Sequence, residues 1–413
     1  MDKPLTETEP TTMSEETQQG QQRQAAISQR LVLIMAIACA VSVANLYYIQ
    51  PLLALMGHDF AASAGQIGII ATVIQVSYAI GLLLIVPLGD YYNQRSLIIC
   101  MLLVVAVALA AMASAPTLLL LGVAGCFVGL TTVVPQLVLP YAANLAPAAT
   151  RGRVLGTVMS GLLIGVLLAR TVSGALAAWL GWRAVYWIAA AMMLLLAAAL
   201  RFLLPPDRVP KGKMNYPQLL HSLWQLVRTQ PILRETSIFS AMTFGAFSAF
   251  WVTLSFFLET PPYHFGSIVA GLFGLVGMAG ALMASFIGKF ADRHDARYAN
   301  GFTMAITLLA FIVMWLVGYW LVGLIIGVIL LDLGAQGNLV ASQTRVYSLL
   351  SGARSRLNTV FMFSYFVGGS LGSLLGTIGW SVARWNGVCF VAILMLLIAF
   401  TVYIINSIRM KNS

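Results

Sequence analysis

The chain has 413 residues, of which 60% are hydrophobic and only 9% are charged. Soluble globular proteins carry about 25% charged residues, so this composition excludes a soluble domain and predicts an integral membrane protein. The net charge of +10 does not indicate nucleic-acid binding, because the basic residues are scattered over short connections between apolar segments. The four cysteines lie in apolar runs without metal-ligand spacing, so we expect no metal site and no cofactor.

Residues 1–30 are polar and contain few large apolar side chains, which predicts a disordered tail instead of a cleaved signal peptide. Twelve apolar segments follow, each long enough to cross a bilayer. A polar connection between the sixth and seventh segments includes YPQLLHSLWQLV, an amphipathic stretch that predicts a surface helix. The twelve segments lie at about 31–56, 64–88, 96–113, 117–144, 155–179, 183–204, 235–258, 266–290, 299–317, 320–344, 357–380 and 385–407.

The lysines and arginines predict the orientation. All but three fall on the side of the two termini and the central connection: Arg170 lies inside segment 5, and Arg183 and Arg384 lie on the far side. Basic residues are retained in the cytoplasm during membrane insertion, so both termini are predicted to be cytoplasmic.

The two halves of the chain repeat each other. TRGRVLGTVM (150–159) matches ARSRLNTVFM (353–362), and Asp90 matches Asp292 at nearly the same offset. Each half has an even number of segments, so both enter the membrane from the same side, as in a parallel repeat about an axis along the membrane normal. The predicted fold class is an all-α membrane protein with twelve transmembrane helices in two six-helix bundles. The predicted organisation is a cytoplasmic tail (1–30), a first bundle (31–204), a central loop (205–231), a second bundle (232–407) and a short tail (408–413).

The loops after segments 2 and 8 resemble a motif of the major facilitator superfamily, which reads roughly G-x-L-A-D-R-x-G-R-R. The first loop reads VPLGDYYNQR and the second GKFADRHDAR, which is the closer match. The resemblance implies a cytoplasmic latch, in which a carboxylate bonds a helix N-terminus and loop arginines bridge to it. The alternative is an ordinary cluster of anchoring charges. The latch candidates are Asp90, Arg95, Asp292, Arg293 and Arg297.

Segment 5 resembles a motif of bacterial twelve-span drug:proton antiporters, G-x8-G-x3-G-P-x-x-G-G. Gly156, Gly165 and Gly174 fall on its spaced glycines, and Arg170 replaces the proline. The chain also resembles acriflavine-sensitivity and arabinose-efflux-like permeases, through stretches such as NLYYIQP and SYFVGG. This resemblance implies a multi-pass protein of the bacterial cytoplasmic (inner) membrane. Unlike many antiporters, the chain has no basic residue in segment 4 and no carboxylate in segment 1.

Two ionisable residues lie deep in the segments. Arg170 is the single cation and Asp332, in segment 10, is the single acid. A charge in hydrocarbon costs several kcal/mol and commonly marks a functional site. Our hypothesis is that Asp332 is the protonation site and Arg170 its conditional partner, so that Asp332 takes up a proton when the two separate. The alternatives are a permanent structural pair, or two groups that never meet.

The superfamily resemblance implies a substrate cavity lined by segments 1, 4, 7 and 10. The aromatic and amide groups there suit a moderately hydrophobic organic compound and lack the several cations that a phosphorylated substrate needs. Each of these residues could instead pack between helices, and Gln336 and Asn338 are two residues apart, so they cannot both face the cavity. The cavity candidates are Asn45, Tyr48, Gln50, Gln136, Trp251, Gln336 and Asn338.

The predicted function is secondary active transport, with proton-coupled efflux (antiport) of small organic compounds by alternating access. Protons would supply the energy, because no G-x-x-x-x-G-K nucleotide loop occurs. The alternatives are a proton symporter or uniporter for a small metabolite, and a non-transporting membrane sensor, which would usually need an output domain. We expect no enzymatic activity. The expected partners are a small-molecule substrate, protons and the lipid bilayer, with no nucleic acid, and the protein is expected to be a monomer.

Overall fold

The computed structural model describes residues 28–147, 150–205, 216–293, 296–350 and 353–411, without the side chains of Asp90, 283–293, Ala296, Arg354 and 408–411. Nearly all of the predicted tail and part of the central loop lie outside this range. The described chain is almost entirely helical. Its α-helices are α1 (Gln29–Ala44), α2 (Leu53–Asp59), α3 (Ala64–Leu84), α4 (Gln94–Ser114), α5 (Leu118–Thr131), α6 (Val134–Leu145), α7 (Arg151–Leu180), α8 (Trp182–Leu203), α9 (Tyr216–Thr229), α10 (Pro231–Glu259), α11 (Ser267–Arg293), α12 (Ala296–Val317), α13 (Leu321–Tyr347) and α14 (Arg354–Lys411).

Many of these helices are suited to a membrane. Within the described residues, nine helical stretches are long and apolar enough to cross one, with α5 and α6 counted together as the single stretch Leu118–Leu145, and the helical stretches 29–44 and 267–282 are shorter but also apolar. The longest, α14, has non-helical backbone at Ala383 and Arg384, where two helices meet. The all-α membrane class is therefore confirmed, whereas the number of crossings and their grouping into two bundles stay predictions.

Predicted segments 1 and 4 are each interrupted near a proline. In segment 1, α1 ends at Ala44, and turns followed by the 3-10 turn Gln50–Leu52 separate it from α2. Pro51 has no N–H to donate, so the regular helix cannot run through it. The interruption matters for the site, because it brings the side chain of Gln50 inward.

Among the described residues, contacts between the two halves of the chain extend from the middle of the molecule to one end. We call this end the far end. The opposite end, where α1 begins and α14 ends, is called the tail end. Near mid-depth, Gln75 of α3 donates to Ser373 of α14 at 3.0 Å. At the far end, His58 of α2 pairs with Glu259 of α10 at 2.9 Å. The halves are thus joined from the middle of the molecule to its far end.

Helix α7 shows the same difference between the two ends. A Cβ atom added to Gly174, towards the far end, would lie 2.4 Å from the backbone oxygen of Ser267 in α11. A Cβ atom added to Gly156, towards the tail end, would meet nothing within 4 Å. Among the described residues, α7 therefore packs closely against α11 at Gly174 and is open at Gly156.

These two glycines give a matched pair of variants. Gly174→Val should push α7 and α11 apart and destabilise this arrangement by about 1–3 kcal/mol, the usual cost of overpacking. Gly156→Val adds the same atoms to an open position and should leave the thermal unfolding midpoint of the detergent-solubilised protein nearly unchanged. Equal midpoints for the two variants would contradict this packing.

Candidate functional site

Arg170 lies in the middle of α7 with only 1% of its surface exposed. Its Nε donates a 2.5 Å hydrogen bond to Oε1 of Gln50. Its guanidinium carbon lies 3.9 Å from the ring centroid of Trp251, 5.0 Å from that of Tyr47 and 5.7 Å from that of Phe247. The cation is therefore held by one neutral acceptor and by aromatic rings, through cation–π contacts.

Helix α11 packs against α7 at the level of Arg170. A Cβ atom added to Gly274 would lie 3.1 Å from Cβ of Arg170 and 3.2 Å from the backbone oxygen of Leu167. Such a contact is tighter than most side chains make, so glycine lets α7 approach α11 closely at the level of the cation.

Asp332 of α13 also packs against α11. It is fully buried, and neither carboxylate oxygen has a hydrogen-bond partner among the described residues. A Cβ atom added to Gly277 of α11 would lie 2.7 Å from Oδ2 of Asp332. Gly274 and Gly277 are three residues apart and so are neighbours on the helix surface. The two charged side chains therefore lie against adjacent positions of α11.

Arg170 and Asp332 interact electrostatically but do not touch. Each contributes to the electrostatic environment of the other. Among the described residues, the ion pairs within 4.0 Å do not include one between them. In this structure the two candidate coupling groups are close but unpaired.

The other cavity candidates point in several directions. Nδ2 of Asn45 contacts the sulfur of Met193 in α8 at 3.5 Å, so Asn45 faces the interior of the first half. Gln136 lies near Tyr78, whose ring is edge-on to that of Phe366 with centroids 4.5 Å apart. Gln50 and Trp251 both contact Arg170. Tyr48 is buried with no polar contact that identifies a role.

In α13, Asn338 belongs to a buried polar network. It bonds to Ser240 at 3.1 Å, to Thr303 at 3.3 Å and to Asn300 at 3.4 Å, all in the second half. Gln336 is only partly buried and takes no part in these bonds. The side chains of Gln336 and Asn338 thus have different surroundings, as their spacing requires.

Sequence reasoning missed Gln75 of α3, a buried amide that bridges the two halves. Besides its bond to Ser373, its Oε1 accepts from Ser248 of α10 at 3.5 Å. It also missed an aromatic cluster in which Phe244 stacks on Tyr365 at 3.9 Å. An amide within a long apolar run was the available signal for Gln75, because burying an unbonded amide is costly.

The predicted latch is described only in part. The side chains of Asp90, Asp292 and Arg293 lie outside the described residues. Arg95 donates to the backbone oxygen of Arg201. Arg297 pairs with Glu235 of α10 at 3.2 Å.

Glu235 is a second residue that the sequence did not single out. Its carboxylate also pairs with Arg345 of α13 at 2.8 Å, and all three side chains of this cluster are buried. Arg297 thus belongs to an ion network between α10, α12 and α13. The signal in the sequence was an acid within the first turns of an otherwise apolar segment.

A second ion pair lies at the far end. Arg183 and the indole N–H of Trp182 both donate to the carboxylate of Asp59. These hydrogen bonds hold the pKa of Asp59 below its usual value, because they favour the charged carboxylate. The bond from Arg183 has the larger effect.

Comparison with known proteins decides the family. The family model described as Major Facilitator Superfamily matches residues 35–373. The chain belongs to the Major Facilitator Superfamily. It is 41% identical to the "Uncharacterized transporter YgaY" of Escherichia coli O157:H7 over 377 residues, which cover 91% of this chain and 95% of that protein. It is 34% identical to the "Probable transporter SCO4007" of Streptomyces coelicolor, covering 89% of this chain and 85% of that protein.

Solved structures share the fold of this Major Facilitator protein. A bacterial homologue of the human lysosomal transporter Spinster, in an inward-facing and unoccupied conformation, superimposes with a TM-score of 0.74. The match has 16% sequence identity and covers 91% of this chain and 95% of that one. The protein is therefore a multi-pass membrane transporter of the Major Facilitator type, a class that binds small-molecule substrates.

The bond between Gln50 and Arg170 can be tested by substitution. Gln50→Leu removes the acceptor of Arg170 Nε and should destabilise the protein by about 2 kcal/mol, because hydrogen bonds to buried charges are worth more than neutral ones. Gln343→Leu is the control, since the one polar contact of the Gln343 side chain among the described residues is with the sulfur of Met362, at 3.9 Å. Thermal unfolding in detergent is the measurement, and a midpoint for Gln50→Leu equal to that of the control would contradict the assignment.

Proposed function

We propose that this protein is a proton-coupled secondary transporter of small, moderately hydrophobic organic compounds. The observation that carries the proposal is the buried Asp332 carboxylate, which has no hydrogen-bond partner among the described residues and packs, like Arg170, against α11. An isolated buried carboxylate is costly when ionised, so its charge depends on whether a cation is near. Proton coupling needs a group with this property.

We propose twelve membrane crossings in two six-helix bundles. Nine helical stretches among the described residues have the required length when α5 and α6 are counted as one. One of the nine (α14) divides at Ala383–Arg384, and two further apolar stretches are shorter. The repeat of Asp90 as Asp292 supports the division into 31–204 and 232–407.

We propose that the tail end faces the cytoplasm of a bacterial cell, in its inner membrane. The distribution of lysine and arginine supports this orientation. With that orientation, the contacts from mid-depth to the far end close the external side, and the open surroundings of Gly156 belong to an inward-open state. Alternating access then consists of breaking the far-end contacts and forming new ones at the tail end. We propose that the transporter works as a monomer.

The latch residues would act in the other state. Here Arg95 is engaged with the backbone of Arg201, and Arg297 with Glu235. We propose that closure of the tail end brings Asp90, Arg95, Asp292, Arg293 and Arg297 into latch contacts with neighbouring helix termini.

We propose export by antiport as the direction of transport, because segment 5 resembles the antiporter motif. The close approach of α7 to α11 at Gly174 supports this assignment, since the spaced glycines of the motif serve such packing.

Proton symport is a second candidate, and one observation favours it. Arg170 has no anionic partner within 4.0 Å among the described residues. A substrate anion bound there would neutralise the cation, and Asp332 could then hold a proton. Proton and substrate would favour each other and move together.

The test uses sealed proteoliposomes with a pH-sensitive dye inside. A proton gradient is imposed and compounds are added in turn: lipophilic dyes and drugs including acriflavine, then weak organic acids, then small sugars. Proton movement caused by a substrate should fall at least about tenfold in Asp332→Asn, because an amide cannot exchange the proton. Asp59→Asn, which changes an acid at the far end, is the matched control and should retain the movement.

The outcomes separate the candidates. Proton efflux from the lumen opposite to substrate movement supports antiport, and movement in the same direction supports symport. Intact proton-coupled flux in Asp332→Asn would remove Asp332 from the mechanism. Substrate flux independent of the gradient would instead indicate a uniporter with Arg170 and Asp332 in structural roles.

A further inference from the structure

We propose that the transported compound carries one negative group, such as a carboxylate, and that Arg170 of α7 and Trp251 of α10 bind this group together. The inference rests on the proposed function only in taking the central site as the transport site. It names the chemical class of the substrate.

Two unpartnered donors carry the inference. Nη2 of Arg170 and Nε1 of Trp251 have no hydrogen-bond partner among the described residues, although the two side chains are only 1% and 2% exposed. The guanidinium carbon lies 3.9 Å from the centroid of the Trp251 ring, so the two groups are in contact. Arginine and tryptophan side chains donate hydrogen bonds and accept none. The missing partner is therefore an acceptor.

The charge of the site specifies which acceptor. Gln50 satisfies Nε of Arg170 but is neutral, and the described part of the chain places no carboxylate within 4.0 Å of the guanidinium. A buried cation without a counter-charge is unfavourable, and an anion removes both this cost and the cost of the unbonded donors. Because the site holds one guanidinium, it suits one negative charge.

The surroundings specify the rest of the molecule. Tyr47 and Phe247 flank the guanidinium, and Phe247 lies 5.8 Å from Phe244, which stacks on Tyr365. These rings form an apolar aromatic cluster that extends from Arg170 into the second half. A flat apolar body with a carboxylate at its edge, as in an aromatic monocarboxylate, would match both the cation and this cluster.

The position of the two donors also fits transport. Arg170 belongs to the first half of the chain and Trp251 to the second, so a shared anion would bridge the halves. Separation of the halves at the far end would break this bridge and release the anion. Because the anion neutralises the cation next to Asp332, a proton on Asp332 and the anion would stabilise each other, which is the behaviour of the symport candidate.

The experiment measures binding at equilibrium, on the full-length protein in detergent and without a gradient. The probe is radiolabelled 1-naphthoate. The competitors are 1-naphthamide, a neutral compound of nearly the same shape, and 1-naphthylmethylammonium, a cation. We expect 1-naphthoate to bind at least about tenfold more tightly than either competitor, because only the carboxylate forms charge-assisted bonds with Arg170.

Two variants test the two donors separately. Arg170→Gln removes the charge and should weaken naphthoate binding by about tenfold or more. Trp251→Phe keeps an aromatic ring but removes the N–H, and should weaken binding about fivefold. Trp380→Phe is the control, because Trp380 stacks on Phe256 at the far end, away from Arg170. A monodisperse elution profile checks that each variant is folded.

Equal affinity for the acid and the amide, preference for the cation, or naphthoate binding unchanged in Trp251→Phe and Arg170→Gln would each overturn the inference. The absence of any naphthoate binding at millimolar concentration would also overturn it, and ordered water would then be the acceptor. Asp332→Asn separates this result from the proposed function, because it should keep naphthoate binding while losing proton movement. If proton movement depends on Asp332 but naphthoate does not bind, the proposed function stands and the inference fails.

Discussion

The burial of one guanidinium is the constraint on which the centre of this protein depends. Arg170 cannot lose its proton at physiological pH, so a low-dielectric interior must compensate a permanent charge. Each neighbour contributes to that compensation. The break before Pro51 brings Gln50 to Nε, and the ring of Trp251 supplies a cation–π contact from the other half of the chain. The contact with Trp251 thus both compensates the charge and joins the two halves.

Helix α11 explains how the cation and the acid come to share one site. Gly271, Gly274, Gly277 and Gly280 recur every third residue. Three residues of an α-helix make about 300° of rotation, so each glycine is displaced by about 60° around the helix from the one before it. The four glycines therefore follow a path that turns gradually around the helix. Its early members accept the backbone of α7, and its later members accept Asp332 and the backbone of α13. Two helices that carry opposite charges therefore approach α11 along one continuous small-residue surface.

The sequence was sufficient to predict the membrane class and the mainly helical structure, and to single out Arg170 and Asp332 as charges within apolar segments, because composition and the position of charges indicate these directly. It could not provide the rotation of each helix about its axis. Segments that are apolar on all sides carry little periodic signal. For this reason Asn45, expected in the cavity, contacts Met193, and Asn338 joins a network inside the second half. The bridging role of Gln75 depends on which helix lies opposite, and no local pattern specifies that.

In the proposed mechanism, the site would connect conformation to ligand charge. The contact between Arg170 and Trp251 joins the two halves, so opening of the far end would separate a cation from its aromatic partner. A guanidinium that loses such a contact in a desolvated place needs another source of negative charge, at a cost of several kcal/mol if none is present. Asp332, on the adjacent surface of α11, is one source, and a bound anion is the other. Exchange of Arg170 between Asp332 and a bound anion would let occupancy by the anion shift the transporter between its closed and open states. No separate sensor would be required.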